Sequence, residues 1–245
     1  MNFWESKSYF TILTNRINHI LKSQQQISDI KILTIKKVKN YFLFKIIRKL
    51  LKIQVYTDLL FLVNKSIGKS VNLDILDIGG GIGENYFELL PVKLKKVNFY
   101  VSDSYKLFIK GNEFRFSNTR MEDKIIFVDK ISKNKFQFDL LLLNGSLQYL
   151  KDIAIKINQL EKVPKNIIID RTLFSIKSFT ARQTNKGGHM TRYEVFSEKS
   201  LILKFESLGY ELFQSGSKRN HKIKFDVGPI DGYYKAMHFR VKNTH

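Results

Sequence analysis

From residue 71 to the C-terminus, short apolar runs alternate with stretches of helical periodicity. Residues 74–78, 98–102, 125–128, 139–143 and 166–170 are each four or five positions dominated by Ile, Leu, Val and Phe. Runs of that length and composition predict strands buried on both faces, as in a parallel sheet. Between them, residues 84–90, 104–111 and 151–162 read as helices. A last helix is expected from Ser197, a suitable N-cap, to Gly209, a suitable glycine beyond a helix end. Residues 211–214 and 233–241 then predict a closing pair of strands. The pattern as a whole predicts an α/β fold with a mostly parallel central sheet and helices on both faces. Residues 71–245 form this domain. Residues 1–70 are helical in pattern, carry no chemical motif, and are expected as a basic N-terminal extension.

Composition narrows the chemistry. The 245 residues include no cysteine, which excludes disulfides, thiolate zinc sites, iron–sulfur clusters and cysteine nucleophiles. The longest uninterrupted apolar runs are about five residues, far short of a spanning helix. The opening Met1–Lys7 lacks the basic-then-apolar order of a secretory leader. A soluble, cytoplasmic protein is expected.

Forty-two Lys and Arg against 22 Asp and Glu give a net charge of +20, which would suit nucleic acid or an anionic membrane. Only nine of the 42 are arginine, whereas nucleic-acid sites lean on arginine for bidentate contacts. The lysine bias also matches the codon drift of an AT-rich genome. Eight basic residues and no acid lie between Lys31 and Lys52. On a helix, Lys45, Arg48, Lys49 and Lys52 share one face, and Leu43, Ile46, Ile47, Leu50 and Ile53 lie largely opposite. Residues 31–53 are therefore a candidate for peripheral contact with the inner membrane. The plainer alternative packs the apolar face on the domain and leaves the lysines solvated.

The most informative segment is Leu73-Asp-Ile-Leu-Asp-Ile-Gly-Gly-Gly-Ile-Gly-Glu84. An apolar strand runs into Asp77, a turn carries Gly79, Gly80, Gly81 and Gly83, and a helix follows. Such a turn lets backbone approach a ligand closely. The dinucleotide spacing G-x-G-x-x-G fails, because its sixth position is Glu84, and no Gly-Lys-Ser/Thr follows for a P-loop. Asp77 and Glu84 would repel a pyrophosphate and suit a cation.

The spacing that fits is Asp-x-Gly-x-Gly-x-Gly, and it resembles motif I of the class I S-adenosylmethionine-dependent methyltransferases. The resemblance continues in register. Ser102 and Asp103 end the second strand, twenty residues past Gly83, where the family places an acid on the ribose hydroxyls. Asp129 ends the third strand, where the family holds the adenine amino group. Asn144 ends the fourth, beside the methionine end of the cofactor. The resemblance implies a Rossmann-like class I methyltransferase fold with an antiparallel last strand, and S-adenosylmethionine as cofactor, with S-adenosylhomocysteine as product. Plainer roles exist for two of these acids: Asp103 as cap of the helix near Ser104, and Asp129 as an exposed turn acid.

More narrowly, residues 76–83, 144–150 and 167–172, with looser matches at Arg182-Gln183 and 193–197, resemble a bacterial methyltransferase family of surface-polysaccharide gene clusters (O-antigen and capsule). Leu173 stands where that family would have proline. This resemblance implies methyl transfer to a saccharide or a saccharide-linked group, in capsule or lipopolysaccharide biosynthesis. A glycan precursor or small phosphorylated acceptor is the expected partner.

Substrate groups belong at the carboxyl edge of strands four and five. Gln148 and Tyr149 are candidates for the acceptor pocket; Tyr149 equally suits helix-start packing. Residues 173–192 read as a long lid-like connection with Gly187-Gly188 as hinge. Arg171, Arg182, Gln183, Arg192 and Tyr193 are candidate acceptor contacts, the arginines suiting an anion. His189 is the first candidate for general base by its usual pKa, and Asp170 the second, with structural pairing of Asp170 to a nearby arginine as the alternative. No residue spacing suggests a metal. The N-terminal helices would cover the acceptor, dimerise the protein or touch membrane. An RNA methyltransferase, a small-molecule methyltransferase outside glycan synthesis and a non-catalytic scaffold are the rival readings. The first lacks the Asn/Asp-Pro-Pro-Tyr/Phe motif after strand four.

Overall fold

The computed structural model describes Thr11, Asn15, Ile17 and residues 57–67, 72–89, 96–116, 125–129, 137–184 and 190–242. The basic segment 31–53, the Gly187-Gly188 pair and His189 lie outside the described residues.

Five parallel strands form the centre: β1 (Asn72–Ile78), β2 (Lys96–Ser102), β3 (Ile125–Val128), β4 (Leu140–Asn144) and β5 (Asn166–Asp170). Two later strands, β9 (Tyr210–Ser215) and β12 (Met237–Val241), complete a seven-stranded sheet of order β3-β2-β1-β4-β5-β12-β9. Strand β12 runs antiparallel to both neighbours. Every residue of Leu140–Asn144 is buried, as expected of a central strand covered on both faces.

Alternation along the strands divides the core into two layers. Leu140 and Leu142, with Leu73 and Ile75, face the first layer; Leu141 and Leu143, with Leu76 and Ile78, face the second. The first layer is completed by α1 (Thr57–Ile67), α2 (Glu84–Leu89) and α3 (Tyr105–Phe116), through Leu59, Leu62, Phe87 and Leu107. Helix α1, in the segment read as an N-terminal extension, is thus part of the sheet's own core. The second layer is completed by α4 (Ile153–Asn158) and α5 (Glu198–Glu206), through Ile153, Ile157, Leu201 and Phe205. Both helices begin at side-chain caps: Asp152 accepts from the Ala154 N–H and Ser197 from the Ser200 N–H. No helix among the described residues is long and apolar enough to cross a membrane.

The stretch 173–192, read as a lid-like loop, is instead largely strand. Together β6 (Leu173–Phe174), β7 (Phe179–Thr184), β8 (Met190–Val195), β10 (Arg219–Phe225) and β11 (Gly228–Tyr234) form a second sheet of order β6-β11-β10-β7-β8. It is assembled from two insertions, one between β5 and α5 and one between β9 and β12. The single strand expected over 233–241 is divided accordingly. Tyr233 and Tyr234 end β11 in the second sheet, Lys235 and Ala236 make the crossing, and Met237 begins β12 in the first. The inner face of the second sheet carries Ala181, Tyr193, Val195, Ile223 and Phe225, and packs on Tyr149. It therefore roofs the turn that follows β4.

Phe205 and Phe239 stack at 4.5 Å between centroids, and both are fully buried. Phe205→Ala should lose about 3–5 kcal/mol of unfolding free energy, read in a urea titration as a lower midpoint at unchanged slope. A midpoint within error of the parent would show that α5 does not anchor the second layer.

Candidate active site

Strand register sets the site. Ile78 pairs with Ser102, Ser102 with Val128, Asp77 with Leu142, and Asn144 with Asp170. Continued in the same register, these pairings put Gly79, Asp103, Asp129, Asn144 and Asp170 at one level on the carboxyl edge of the sheet. The sheet thus brings together the ends of all five parallel strands.

The turn after β1 is tight. Gly79, Gly81 and Gly83 have φ of 73°, 60° and 90°, a region that side chains with a Cβ rarely occupy. A Cβ on Gly79 would also strike the Ser146 side chain, and one on Gly80 the Asp77 carboxylate. The turn is tied to β2 by its backbone: Gly79 N–H donates to the Ser102 carbonyl at 2.7 Å, and Gly81 N–H to Asp103 Oδ2 at 2.8 Å. Asp103 Oδ1 accepts from the Ser104 N–H at 2.7 Å, at the residue before α3. Ser102 is buried, and Asp129 is exposed one residue past β3.

Asp77 lies on the same strand face as Leu73 and Ile75 and is completely buried. Its Oδ2 accepts from Asn85 Nδ2 at 2.8 Å, and Asn85 Oδ1 accepts from Asn144 Nδ2 at 2.7 Å. Asp77 Oδ1, Asn144 Oδ1 and Ser146 Oγ are buried without a hydrogen-bond partner among the described residues. Burial drives the Asp77 carboxyl well above the usual carboxylate range, and the nearby Glu84, Asp103 and Glu88 add to it against the opposing Asn85 hydrogen bond. Unsatisfied acceptors ringed by acids are costly in an empty protein. They fit a ligand that brings N–H donors and positive charge. Asn85 and Ser146, neither singled out from the sequence, belong to this group; only the fold shows that they meet Asp77 and Gly79.

On the acceptor side, Gly145 N–H donates to the Asp170 carbonyl at 2.8 Å, and a 3₁₀ turn spans Leu147–Tyr149. Gln148 is buried, and its Nε2 donates to the carbonyls of Gly145 (2.9 Å) and Arg171 (3.3 Å). Tyr149 Oη donates to Gln183 Oε1 at 2.9 Å, joining the turn to β7. Tyr193 is buried with its ring edge-on to Tyr149 at 5.2 Å. Burial raises the pKa of both phenols, and the neighbouring Tyr234 raises both further.

The charged candidates fall differently. Asp170 Oδ1 accepts from its neighbour's N–H at 2.7 Å and from Arg219 Nη2 at 2.5 Å. The partner of this acid is thus Arg219 on β10, not Arg171 or an arginine of 173–192. Arg171 places Nη2 at 2.8 Å from both oxygens of the buried Glu88, so its charge is neutralised by α2 and is not presented as an anion receptor. Arg182 and Arg192 pair across the β7–β8 ladder and are exposed. Strand alternation puts them on the face opposite Ala181 and Tyr193. They point away from the 3₁₀ turn, and the structure does not bring them to the site.

Comparison with solved structures agrees with this geometry. The N-terminal domain of EvdMO1, crystallised with S-adenosylhomocysteine bound, superposes with a TM-score of 0.54 at 12% identity, over 78% of this chain and 82% of that one. The glycopeptide N-methyltransferase MtfA, complexed with S-adenosylhomocysteine, gives 0.51 at 10%, over 78% and 93%. The CcbJ methyltransferase from Streptomyces caelestis gives 0.50 at 13%, over 75% and 88%. The chain has the Rossmann-like fold of class I methyltransferases. No family model matches its sequence, and no curated protein does; at these identities the likeness is one of fold.

The buried acid gives a pH prediction. A carboxyl whose folded pKa is raised binds protons more tightly folded than unfolded, so its cost is absent below the unfolded value of about 4, grows as pH rises from there toward the folded value, and is complete above it. Asp77→Asn removes that cost. The variant should be more stable than the parent at pH 8 in urea titrations, with the difference closing toward pH 4. Equal or lower stability at pH 8 would refute the unfavourable burial of this charge.

Proposed function

We propose that the chain is an S-adenosylmethionine-dependent methyltransferase. One observation carries the reading: Asp77 Oδ1 and Asn144 Oδ1 are buried acceptors without donors, set at a glycine turn among Asp77, Glu84, Glu88 and Asp103. A phosphate ligand would meet only repulsion there, whereas an α-ammonium group brings the missing donors. The residues that would hold the cofactor are Asp77, Gly79, Gly80, Gly81 and Gly83 at the turn, Ser102 and Asp103 after β2, Asp129 after β3, and Asn144 after β4. Asp103, at the end of β2 beside the glycine turn, is the acid for the ribose hydroxyls, and Asp129, exposed at the same edge, the one for an adenine amino group. When bound, the cofactor supplies a methyl group on a positively charged sulfur.

For the acceptor we propose a hydroxyl on a glycan or its precursor, in bacterial surface-polysaccharide biosynthesis, with the enzyme cytoplasmic. The support is the earlier sequence resemblance and the polar, aromatic cluster of Gln148, Tyr149, Gln183 and Tyr193 where the second sheet meets the 3₁₀ turn. Arg171 and Arg219 are engaged by carboxylates, and Arg182 and Arg192 face outward. A neutral hydroxyl therefore suits the described wall better than a phosphate. The base we assign is His189, in the segment joining β7 to β8. Asp170 is the weaker candidate, because its Oδ1 already serves Arg219 and the Arg171 N–H.

Calorimetric titration with S-adenosylhomocysteine and, separately, NAD tests the cofactor. Binding of the first alone, at about micromolar Kd or roughly −8 kcal/mol, is expected; NAD binding, or binding of neither, would overturn the assignment. With nucleotide sugars and glycan precursors screened as acceptors, His189→Ala should slow turnover by about 100-fold or more at unchanged S-adenosylhomocysteine affinity. A fully active His189→Ala enzyme would remove it as base.

A further inference from the structure

Four charged residues form an unbroken line from the glycine turn to the second sheet. Glu88 lies on α2, the helix that the turn opens. Arg171 Nη2 sits 2.8 Å from both of its oxygens, with side-chain exposures of 19% for the arginine and 3% for the glutamate. The Arg171 N–H donates to Asp170 Oδ1 at 2.7 Å, and Arg219 Nη2 reaches the same oxygen at 2.5 Å. Arg219 is the first residue of β10, in register with Tyr234 of β11.

The junction is a single dipeptide. Arg171 has φ of 52°, a left-handed conformation uncommon for any residue but glycine. With the backbone turned this way, Asp170 reaches the second sheet and Arg171 reaches α2. The same two residues hold the acceptor-side turn, through Gly145 N–H on the Asp170 carbonyl and Gln148 Nε2 on the Arg171 carbonyl. Breaking either ion pair would take the arginine from a buried carboxylate, which is costlier than moving the pair as a unit. A displacement of α2 is therefore passed on at Arg171 and Asp170.

We propose that Asp170-Arg171 is a yoke between cofactor and acceptor sides, and that Arg219 is a positioning residue through which a filled glycine turn tightens the second sheet over the acceptor. The inference rests on the methyltransferase reading for the identity of the ligand that fills the turn. It makes binding of the cofactor and ordering of the roof mutually dependent, so that the acceptor surface is completed after the cofactor is in place.

Hydrogen exchange of the full-length protein, with and without S-adenosylhomocysteine, tests it. In the parent protein the ligand should slow exchange of β10 and β11 amides by about tenfold, within the usual range of coupling between sites. Arg219→Gln should abolish the slowing, and Arg219→Lys, which keeps a charged donor, should retain it. Linkage requires that Arg219→Gln weaken S-adenosylhomocysteine binding by no more than the coupling factor itself. Asp170→Asn is the second variant, with the same loss expected, should Arg219→Gln fail to fold. A purely structural role for Arg219 would raise basal exchange and leave the ligand-induced ratio unchanged. Ligand binding with unaltered exchange in β10 and β11, or slowing that persists in both variants, overturns this inference alone. Absence of S-adenosylhomocysteine binding to the parent overturns the cofactor reading and the inference with it.

Discussion

A carboxylate with no solvent exposure, at the end of a buried parallel strand, is the constraint around which this molecule is arranged. Asp77 occupies a position that alternation assigns to the apolar layer of Leu73 and Ile75. Its side-chain donor among the described residues is Asn85, and Asn85 is in turn braced by Asn144 from the neighbouring strand. The glycines answer the same constraint. Gly80 lies against the carboxylate and Gly79 against Ser146, so that neither has room for a side chain. Burial disfavours the charged form of this acid, and an ill-solvated acid at a strand end is a common sign that local stability has been exchanged for binding.

The second sheet solves a different problem. A seven-stranded Rossmann-like sheet leaves its carboxyl edge open, the edge where ligands of such sheets bind. Here the cover is built from two separate insertions that complete each other: β6, β7 and β8 from one, β10 and β11 from the other. Its apolar side, around Tyr193, Val195 and Phe225, rests on Tyr149. Its polar anchors include Tyr149 to Gln183, Asp170 to Arg219 and Tyr233 to Glu198 of α5. A roof held by a modest apolar patch and buried polar contacts is of the kind that opens locally at lower cost than the core beneath it.

The central strands, the helices between them and the glycine turn were legible because each is specified locally, by apolar runs, caps and spacing. The second sheet was not. Its strands are half exposed: Phe179–Thr184 alternates inner and outer positions, but Gln183 takes an inner one and breaks the apolar pattern, and β7 finds its partner β10 some forty residues away. The same non-locality hid the partners of the charged site residues. Arg171 was expected among the acceptor contacts, yet Glu88, 83 positions earlier, reaches it through the fold. Asp170 was read against the arginines of the following segment, but takes Arg219. For Arg182 and Arg192 the error was one of face: residue type suggested an anion site, and strand parity turned both outward.

The net charge of +20 says little about the site, and the reason is physical. Screening in salt confines a charge's influence to about 8–10 Å, so a ligand entering the glycine turn responds to its immediate neighbours. Those are Asp77, Glu84, Glu88 and Asp103, with Asp129 at the next strand end. The two arginines closest to them in the line, Arg171 and Arg219, are paired with carboxylates. A strongly basic protein thus presents a locally acidic edge, and that local field is what distinguishes a cationic cofactor from the phosphates that the global charge would favour. The same reasoning separates the lysine-rich exterior from catalysis. It governs where the molecule is drawn, and the buried acids govern what it holds.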